Sequence, residues 1–173
     1  MNLLNSCFRL TTTDGNGKIF TMEKQEVINY LAKKLSGYGA KILDFNGDKF
    51  IGVKNPYSLN DMAFAFYDEV FTMEFTYQTA RFSYDDYEAA AIHAEKFLNG
   101  KLVAVEIFYG GKPVMGGSRE KPTTDISNKE NFALWYAGGN SESAEKVLKF
   151  LNNGGVSAKV YSWSGADDKI LEF

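Results

Sequence analysis

The sequence predicts an α+β fold in which three helices are each followed by an antiparallel β-hairpin, so that the sheet is mainly antiparallel. Three observations predict it. Apolar residues recur at helical spacing in three segments. Two β-like runs joined around a glycine turn follow each of these segments. Strand-like sequence also precedes each helix, which favours a repeated β-α-β-β unit; the alternative is the common helix-plus-hairpin arrangement without duplication.

The three helices are predicted near residues 22–36, 84–98 and 142–153. Each follows a residue type that favours an N-cap, namely Thr21, Ser83, and Asn140 or Ser141. Each ends at a glycine or an Asn-Gly pair, as helices commonly do. Their apolar sides and the neighbouring strands predict a core that includes Leu31, Leu35, Phe75, Ala91, Leu98, Val103, Val105, Leu148 and Val160.

The predicted hairpins lie at 41–53, 102–115 and 156–173. Their turns are Asn46-Gly47, Gly110-Gly111 and Ser164-Gly165. Asn-Gly is the strongest of these signals, because both central residues of a type I′ turn take positive φ. The hairpins are expected to pair into one or two sheets, with the helices covering one face.

Further strands are predicted before the helices, at Leu3–Thr11, Lys18–Thr21, Val70–Phe82 and Phe132–Ala137. Alternation in the third of these places Phe71, Met73, Phe75 and Tyr77 on one face. The run Met62–Tyr67 fits either a strand or a helix. Residues 54–61 and 118–131 are polar and are predicted as loops. The chain is expected to form a single domain over residues 1–173, with 118–131 as a sub-boundary inside it.

Composition limits the classes of protein. The chain has 173 residues and one cysteine, Cys7, so it has no internal disulfide framework and no multi-cysteine zinc site. A chain without an internal disulfide suits a reducing compartment, which predicts a cytoplasmic location. No apolar run approaches the ~20 residues that span a bilayer, so no membrane association is predicted. The 16 Lys against 3 Arg are typical of an AT-rich, bacterial genome.

Charge is unevenly distributed along the chain. Residues 55–100 carry two Lys/Arg and eight Asp/Glu, within a total net charge of −3. No basic stripe is present to neutralise phosphates, which disfavours nucleic-acid binding. The acidic segment predicts a protein partner with a basic face, bound by Asp85, Asp86 and Glu88. The alternative is that these carboxylates form a solvated surface and stabilise a helix N-terminus.

Most sequence motifs of catalysis are absent. Gly111-Lys112 is followed by proline, which excludes a phosphate-binding P-loop. Asp44, Asn46 and Asp48 match three calcium-loop positions, but the loop lacks its glycine and its final glutamate. His93 is the only histidine; it is predicted to lie at the boundary of the core, and the alternative is a nucleophile–base pair with Cys7.

Three classes of function fit the sequence. The first, which we favour, is a non-enzymatic intracellular protein-binding domain resembling immunity proteins, inhibitors or adaptors. The second is a small-ligand-binding protein with an aromatic pocket, for which Trp135-Tyr136 and Tyr161 with Trp163 are candidates; the competing prediction for these rings is core packing. The third is a small hydrolase that uses scattered carboxylates such as Asp167-Asp168. No cofactor, metal ligand or catalytic residue is predicted, and a homo-oligomer is compatible with the sequence.

Overall fold

The computed structural model describes residues 22–58, 60–76 and 78–173. These residues form four α-helices and nine strands in two antiparallel sheets, which confirms the α+β class. The helices are α1 (Lys24–Lys34), α2 (Tyr87–Leu98), α3 (Lys129–Tyr136) and α4 (Ser141–Leu151). The strands are β1 (Lys41–Phe45), β2 (Asp48–Val53), β3 (Met62–Phe66), β4 (Val70–Phe75), β5 (Gln78–Ser83), β6 (Leu102–Tyr109), β7 (Lys112–Glu120), β8 (Val156–Tyr161) and β9 (Lys169–Glu172). The predicted strands at 3–11 and 18–21 lie outside the described residues.

The first sheet is an antiparallel meander in the order β1-β2-β3-β4-β5. The predicted turn joins its first two strands, with Asn46 at φ 55° and Gly47 at φ 89°. Alternation places one face of the sheet against α1 and α2, and this face and the two helices form the first core. Its largest fully buried side chains include Ile28, Leu31, Ile51, Phe64, Phe71, Phe75 and Phe97.

The single strand predicted at Val70–Phe82 is wrong, because the chain turns back on itself and forms β4 and β5. The reversal passes through Thr76, which takes a left-handed φ of 59°. Left-handed backbone is uncommon at a threonine, and no glycine or proline stands at this turn. The sequence therefore gives no local signal of the reversal. The predicted shared face is correct for Phe71, Met73 and Phe75, which are all buried; Tyr77 lies outside the described residues.

The second sheet has the order β7-β6-β8-β9 and carries the second core on one face. Strand β6 contributes to both cores, because alternate residues point in opposite directions. Leu102 and Ala104 lie in the first core, whereas Val103, Val105 and Ile107 lie in the second. The hairpins at Gly110-Gly111 and around Gly165 are confirmed, since β6 pairs with β7 and β8 pairs with β9.

The strand predicted at Phe132–Ala137 is wrong, because this segment forms α3. Asn128 caps the helix by accepting a hydrogen bond from the Asn131 amide at 2.8 Å. Phe132, Ala133 and Tyr136 then lie on one buried side at helical spacing. The repeated β-α-β-β unit is not confirmed, because the segment predicted as the strand before the third helix forms α3 instead.

Other boundaries differ from the prediction by a few residues. Strand β7 continues through Glu120, so the predicted loop at 118–131 shortens to the residues between β7 and α3. Helix α1 is capped by Glu23 instead of Thr21, through a capping box with Glu26. A short 3₁₀ turn (Tyr84–Asp86) precedes α2, so Ser83 lies at the start of that turn instead of the helix, and its side chain forms no cap hydrogen bond with the backbone. The predicted cap Asn140 is confirmed at α4.

Hydrogen bonds and close packing join the two halves of the fold. Gln78 Nε2 donates to the Val105 carbonyl at 3.0 Å. A Cβ at Gly116 would lie 2.2 Å from Gln78 Nε2, so the Gln78 side chain packs directly against a position that has no side chain. Buried Asn55 donates to the Trp163 carbonyl at 2.8 Å, and this tryptophan packs in the first core.

The predicted core is confirmed at eight of its nine positions, which are all buried. The ninth, Leu148 on α4, is only half-buried, so its prediction is wrong. Among the α4 residues only Leu151 is buried.

Candidate functional site

The three predicted binding residues lie at the start of α2. Asp85 and Glu88 are exposed, and Asp86 is half-buried. The Ser83 hydroxyl donates to Asp86 Oδ2 at 2.6 Å, which fixes this carboxylate beside the 3₁₀ turn. The local sequence therefore orients one of the three carboxylates and leaves the other two in solvent.

The fold brings two further carboxylates to the same place from the turn between β3 and β4. Val70 pairs with Ser83, and the Tyr84 hydroxyl donates to the Tyr67 carbonyl, so this turn lies against the 3₁₀ turn. Burial raises the pKa of Tyr84, and the negative charge of Asp68 raises that pKa further. We call Asp68, Glu69, Asp85, Asp86 and Glu88 the acidic end.

The charge of the acidic end is not neutralised within the part of the chain that the structure describes. The ion pairs found there are Lys34–Glu95, Lys54–Asp61, Lys121–Asp167 and Lys146–Glu142. None of these pairs uses a carboxylate of the acidic end. Tyr67 adds an aromatic side chain that is 53% exposed at the same turn. The acidic end thus combines uncompensated negative charge with an exposed ring.

An open cleft of about 810 Å³ lies on another part of the surface, between the second half of α2 and α3. We call it the α2–α3 cleft. Its lining includes Leu102, His93, Lys96, Ser118, Arg119, Lys121, Leu134 and Trp135. Because α2 belongs to the first core and α3 to the second, the cleft forms where the two cores meet.

Arg119 is held rigidly in this cleft. Its Nε donates to the Tyr136 carbonyl, and its Nη1 donates to the Ser118 carbonyl at 2.7 Å. The guanidinium carbon also lies 4.3 Å from the centroid of the Tyr136 ring, a cation–π distance. These contacts use two of the five N–H donors of an arginine.

His93 and Ser118 are in hydrogen-bond contact, with 3.2 Å between Nε2 and Oγ. The pKa of His93 lies below its ordinary value, mainly because burial disfavours the charged ring and also because Lys96 is near. The ring packs edge-on against Phe82 and Phe97, in agreement with the predicted boundary position. Among the described residues no carboxylate orients the ring as a catalytic triad requires. The alternative partner, Cys7, lies outside the described residues.

The structure separates the four predicted aromatic candidates. Trp163 is buried in the first core and Tyr136 in the second, which confirms core packing for both. Tyr161 is half-buried against the first core. Trp135 alone lines the α2–α3 cleft, and its indole N–H donates to the Glu120 carbonyl at 2.8 Å. This cleft is the observation that favours a small-ligand site.

The remaining candidates have structural roles. Asp44 and Asp48 lie in the β1–β2 hairpin, where the Asp44 carboxylate accepts a hydrogen bond from the Gly47 amide at 3.1 Å. Asp168 lies in the predicted turn and accepts a hydrogen bond from the Ser162 amide at 2.7 Å. Within the described ranges, no group of three or more His, Cys, Asp or Glu side chains is placed to hold a metal ion.

The pKa values of two exposed carboxyls, Asp125 and Glu142, are lowered. The cause at Asp125 is chiefly its hydrogen bonds from Ser127, and the cause at Glu142 is its contact with Lys146. A general acid requires a shift in the opposite direction, so neither of these carboxyls suits that role.

Comparison with known proteins finds no matching family model, no similar curated protein and no similar solved structure. Across residues 22–58, 60–76 and 78–173, no helix has both the length and the apolar character needed to cross a membrane.

The sequence predicts part of each surface. Asp68 and Glu69 belong to the acidic segment at residues 55–100, but no local signal places them beside Asp85. Arg119, Lys96 and Ser118 were not predicted, because they come from different elements and match no motif.

Proposed function

We propose that this chain is a non-enzymatic protein-recognition domain that binds a partner with a basic face through the acidic end. The observation that carries the proposal is that five carboxylates come from two adjacent segments, one of which also carries the exposed Tyr67. A cytoplasmic location is part of the proposal, because the single cysteine of the chain suits a reducing compartment.

Electrostatics supports a role in recognition. Uncompensated charge of one sign accelerates the encounter with an oppositely charged partner, and salt weakens this effect. Tyrosine is enriched among the residues that dominate interface energetics, because its ring buries a large area and its hydroxyl forms hydrogen bonds. The acidic end supplies both elements, so it suits a basic protein surface better than a small neutral ligand.

The test compares the wild-type chain with a variant that carries Asp85→Asn, Asp86→Asn and Glu88→Gln. Both are used to capture proteins from the source organism, and the partner is identified by mass spectrometry. We expect one basic protein to be retained by the wild type and lost with the variant. The association rate measured with the purified partner should fall steeply as salt increases.

The matched control carries Glu130→Gln, Glu145→Gln and Glu172→Gln. These three carboxylates are exposed and belong to α3, α4 and β9 instead of the acidic end, so the control removes the same charge from other elements. Capture of the partner by the control but not by the variant supports the proposal. Equal association rates for the variant and the wild type at low salt contradict it, and so does equal loss in the control.

A further inference from the structure

We propose that the α2–α3 cleft binds a small organic anion that carries an aromatic or other flat apolar group. The anionic group, a carboxylate or a phosphate, is bound by Arg119 with Lys96, and the apolar group lies against Trp135 and Leu134. This site is independent of the acidic end and does not rest on the proposed function.

The charge of the cleft selects an anion. Lys96, Arg119 and Lys121 line it, and Glu120 is the one carboxylate among the described lining residues. Lys121 is already paired with Asp167, at 2.8 Å. Lys96 and Arg119 have no carboxylate partner in the described part of the chain, so the cleft is locally positive in a chain whose net charge is −3.

Arg119 is organised for such a ligand before it arrives. Its two hydrogen bonds to main-chain carbonyls and its stacking on Tyr136 fix the plane of the guanidinium. Three N–H donors remain, and a guanidinium matches the geometry of a carboxylate or phosphate. Because the side chain is already ordered, binding costs less conformational entropy than binding by a free arginine would.

The wall contributed by α3 carries two large apolar side chains, Leu134 and Trp135, besides the polar Asn131. The Leu134 side chain is 47% exposed although it is large and hydrophobic. Trp135 has already used its only donor on the Glu120 carbonyl, so its indole offers a ligand apolar and π surface only. An anion without an apolar body would leave this wall uncovered.

The uncharged state of His93 limits the positive charge of the cleft. Its lowered pKa keeps the ring uncharged at neutral pH, so it adds no third unpaired cation to the cleft. With the Ser118 hydroxyl it provides a polar contact beside the two unpaired cations. The cleft is thus suited to a ligand with one compact anionic group and not to a highly charged polymer.

The experiment is an NMR titration of the two tryptophan indole N–H signals, which are assigned with the variant Trp135→Phe. The probes are phenyl phosphate, benzoate, inorganic phosphate and benzamide, the neutral counterpart of benzoate. We expect phenyl phosphate and benzoate to shift the Trp135 signal saturably, with a Kd of about 1 mM. The signal of Trp163, buried in the first core, should stay in place.

Arg119→Gln should weaken phenyl phosphate binding about tenfold or more, because charge-assisted hydrogen bonds are lost. Lys96→Gln, at an exposed position on α2, should weaken it about twofold to fivefold. The matched control is Arg81→Gln, which removes an exposed arginine from β5 and should leave binding unchanged.

Three results would overturn the proposal: benzamide shifting the Trp135 signal as strongly as benzoate, inorganic phosphate binding as tightly as phenyl phosphate, or Arg81→Gln weakening binding as much as Arg119→Gln. If Arg119→Gln fails to fold, the Lys96→Gln variant and the comparison of benzoate with benzamide decide the question. The acidic-end variant should bind phenyl phosphate normally, so failure of either proposal is distinguishable from failure of the other.

Discussion

The two cores are covered by helices to different depths. In the first core, α1 buries Val27, Ile28 and Leu31, and α2 buries five residues along its length. In the second core, α3 buries three residues and α4 buries only Leu151. Helix α4 nevertheless has a clear amphipathic pattern, with Val147 and Leu148 packed against the core but only half-buried.

This difference shows that the periodicity of apolar residues identifies which side of a helix faces the core, but not how deeply that side is buried. Alanines on α2, such as Ala90, Ala91 and Ala94, are fully buried, and small side chains permit close approach to the sheet. The larger apolar residues of α4 lie at the margin of the second core, where they remain in partial contact with solvent. Substitutions in the two regions should therefore differ strongly in cost.

The largest effect is expected from Phe75→Ala in the first core. Phe75 is 1% exposed, and its ring lies 5.3 Å from Phe97 and 5.6 Å from Trp163, measured between ring centroids. Removal of the ring should lower the free energy of unfolding by about 3–5 kcal/mol. Urea unfolding followed by circular dichroism measures the loss.

The same variant tests whether the two cores unfold together. Because β6 contributes to both cores, the NMR signal of the Trp135 indole N–H in the second half should be lost at the same lowered midpoint that circular dichroism reports. A separate, unchanged transition for Trp135 would show that the cores are independent. Phe45→Ala, at a side chain that is 70% exposed on β1, is the control and should cost less than about 0.5 kcal/mol.

An intermediate effect is expected from Leu148→Ala on α4. The half-buried side chain loses only part of the transfer free energy of a leucine, so the cost should be about 1 kcal/mol. Leu31→Ala, at a fully buried position on α1, should cost about 2–5 kcal/mol in the same denaturant assay. Equal losses at the two positions would mean that α4 is covered as deeply as α1.

The smallest effect concerns pH, at the boundary between the two regions. The folded state holds the pKa of His93 below the ordinary value of 6.5, so the unfolded chain binds the proton more readily. His93 therefore contributes stability above pH 6.5 that is lost as pH falls through and below that value.

The urea midpoint of the wild type should thus fall more than that of His93→Gln when the pH is lowered from 7.5 to 5.5. This range extends about one unit on either side of the ordinary histidine pKa. A parallel decline in the two proteins would show that other groups cause the pH dependence. Lys96→Gln should reduce the decline in part, because Lys96 is the lesser cause of the shift.

Much of the fold could be predicted, because its signals are local. The Asn46-Gly47 turn, the helix stops and the apolar sides of α1 and α2 each depend on residues a few positions apart. The failures had weak or misleading local signals. Thr76 reverses the chain without a glycine, and Phe132–Ala137 has a strand-like composition but becomes helical after the Asn128 cap.

The candidate surfaces were less predictable, for the same physical reason. By itself the sequence determined the α+β class, the hairpins, most of the core and the acidity of the middle segment. Only the tertiary structure decided that the β3–β4 turn lies against the start of α2, and that Arg119 from β7, Lys96 from α2 and Trp135 from α3 line one cleft. These arrangements depend on strand register and on the packing of two cores through β6, which are contacts between residues distant in the chain. Local propensity does not specify such contacts. They form only when the free energy gained by burying apolar surface exceeds the entropic cost of closing long loops.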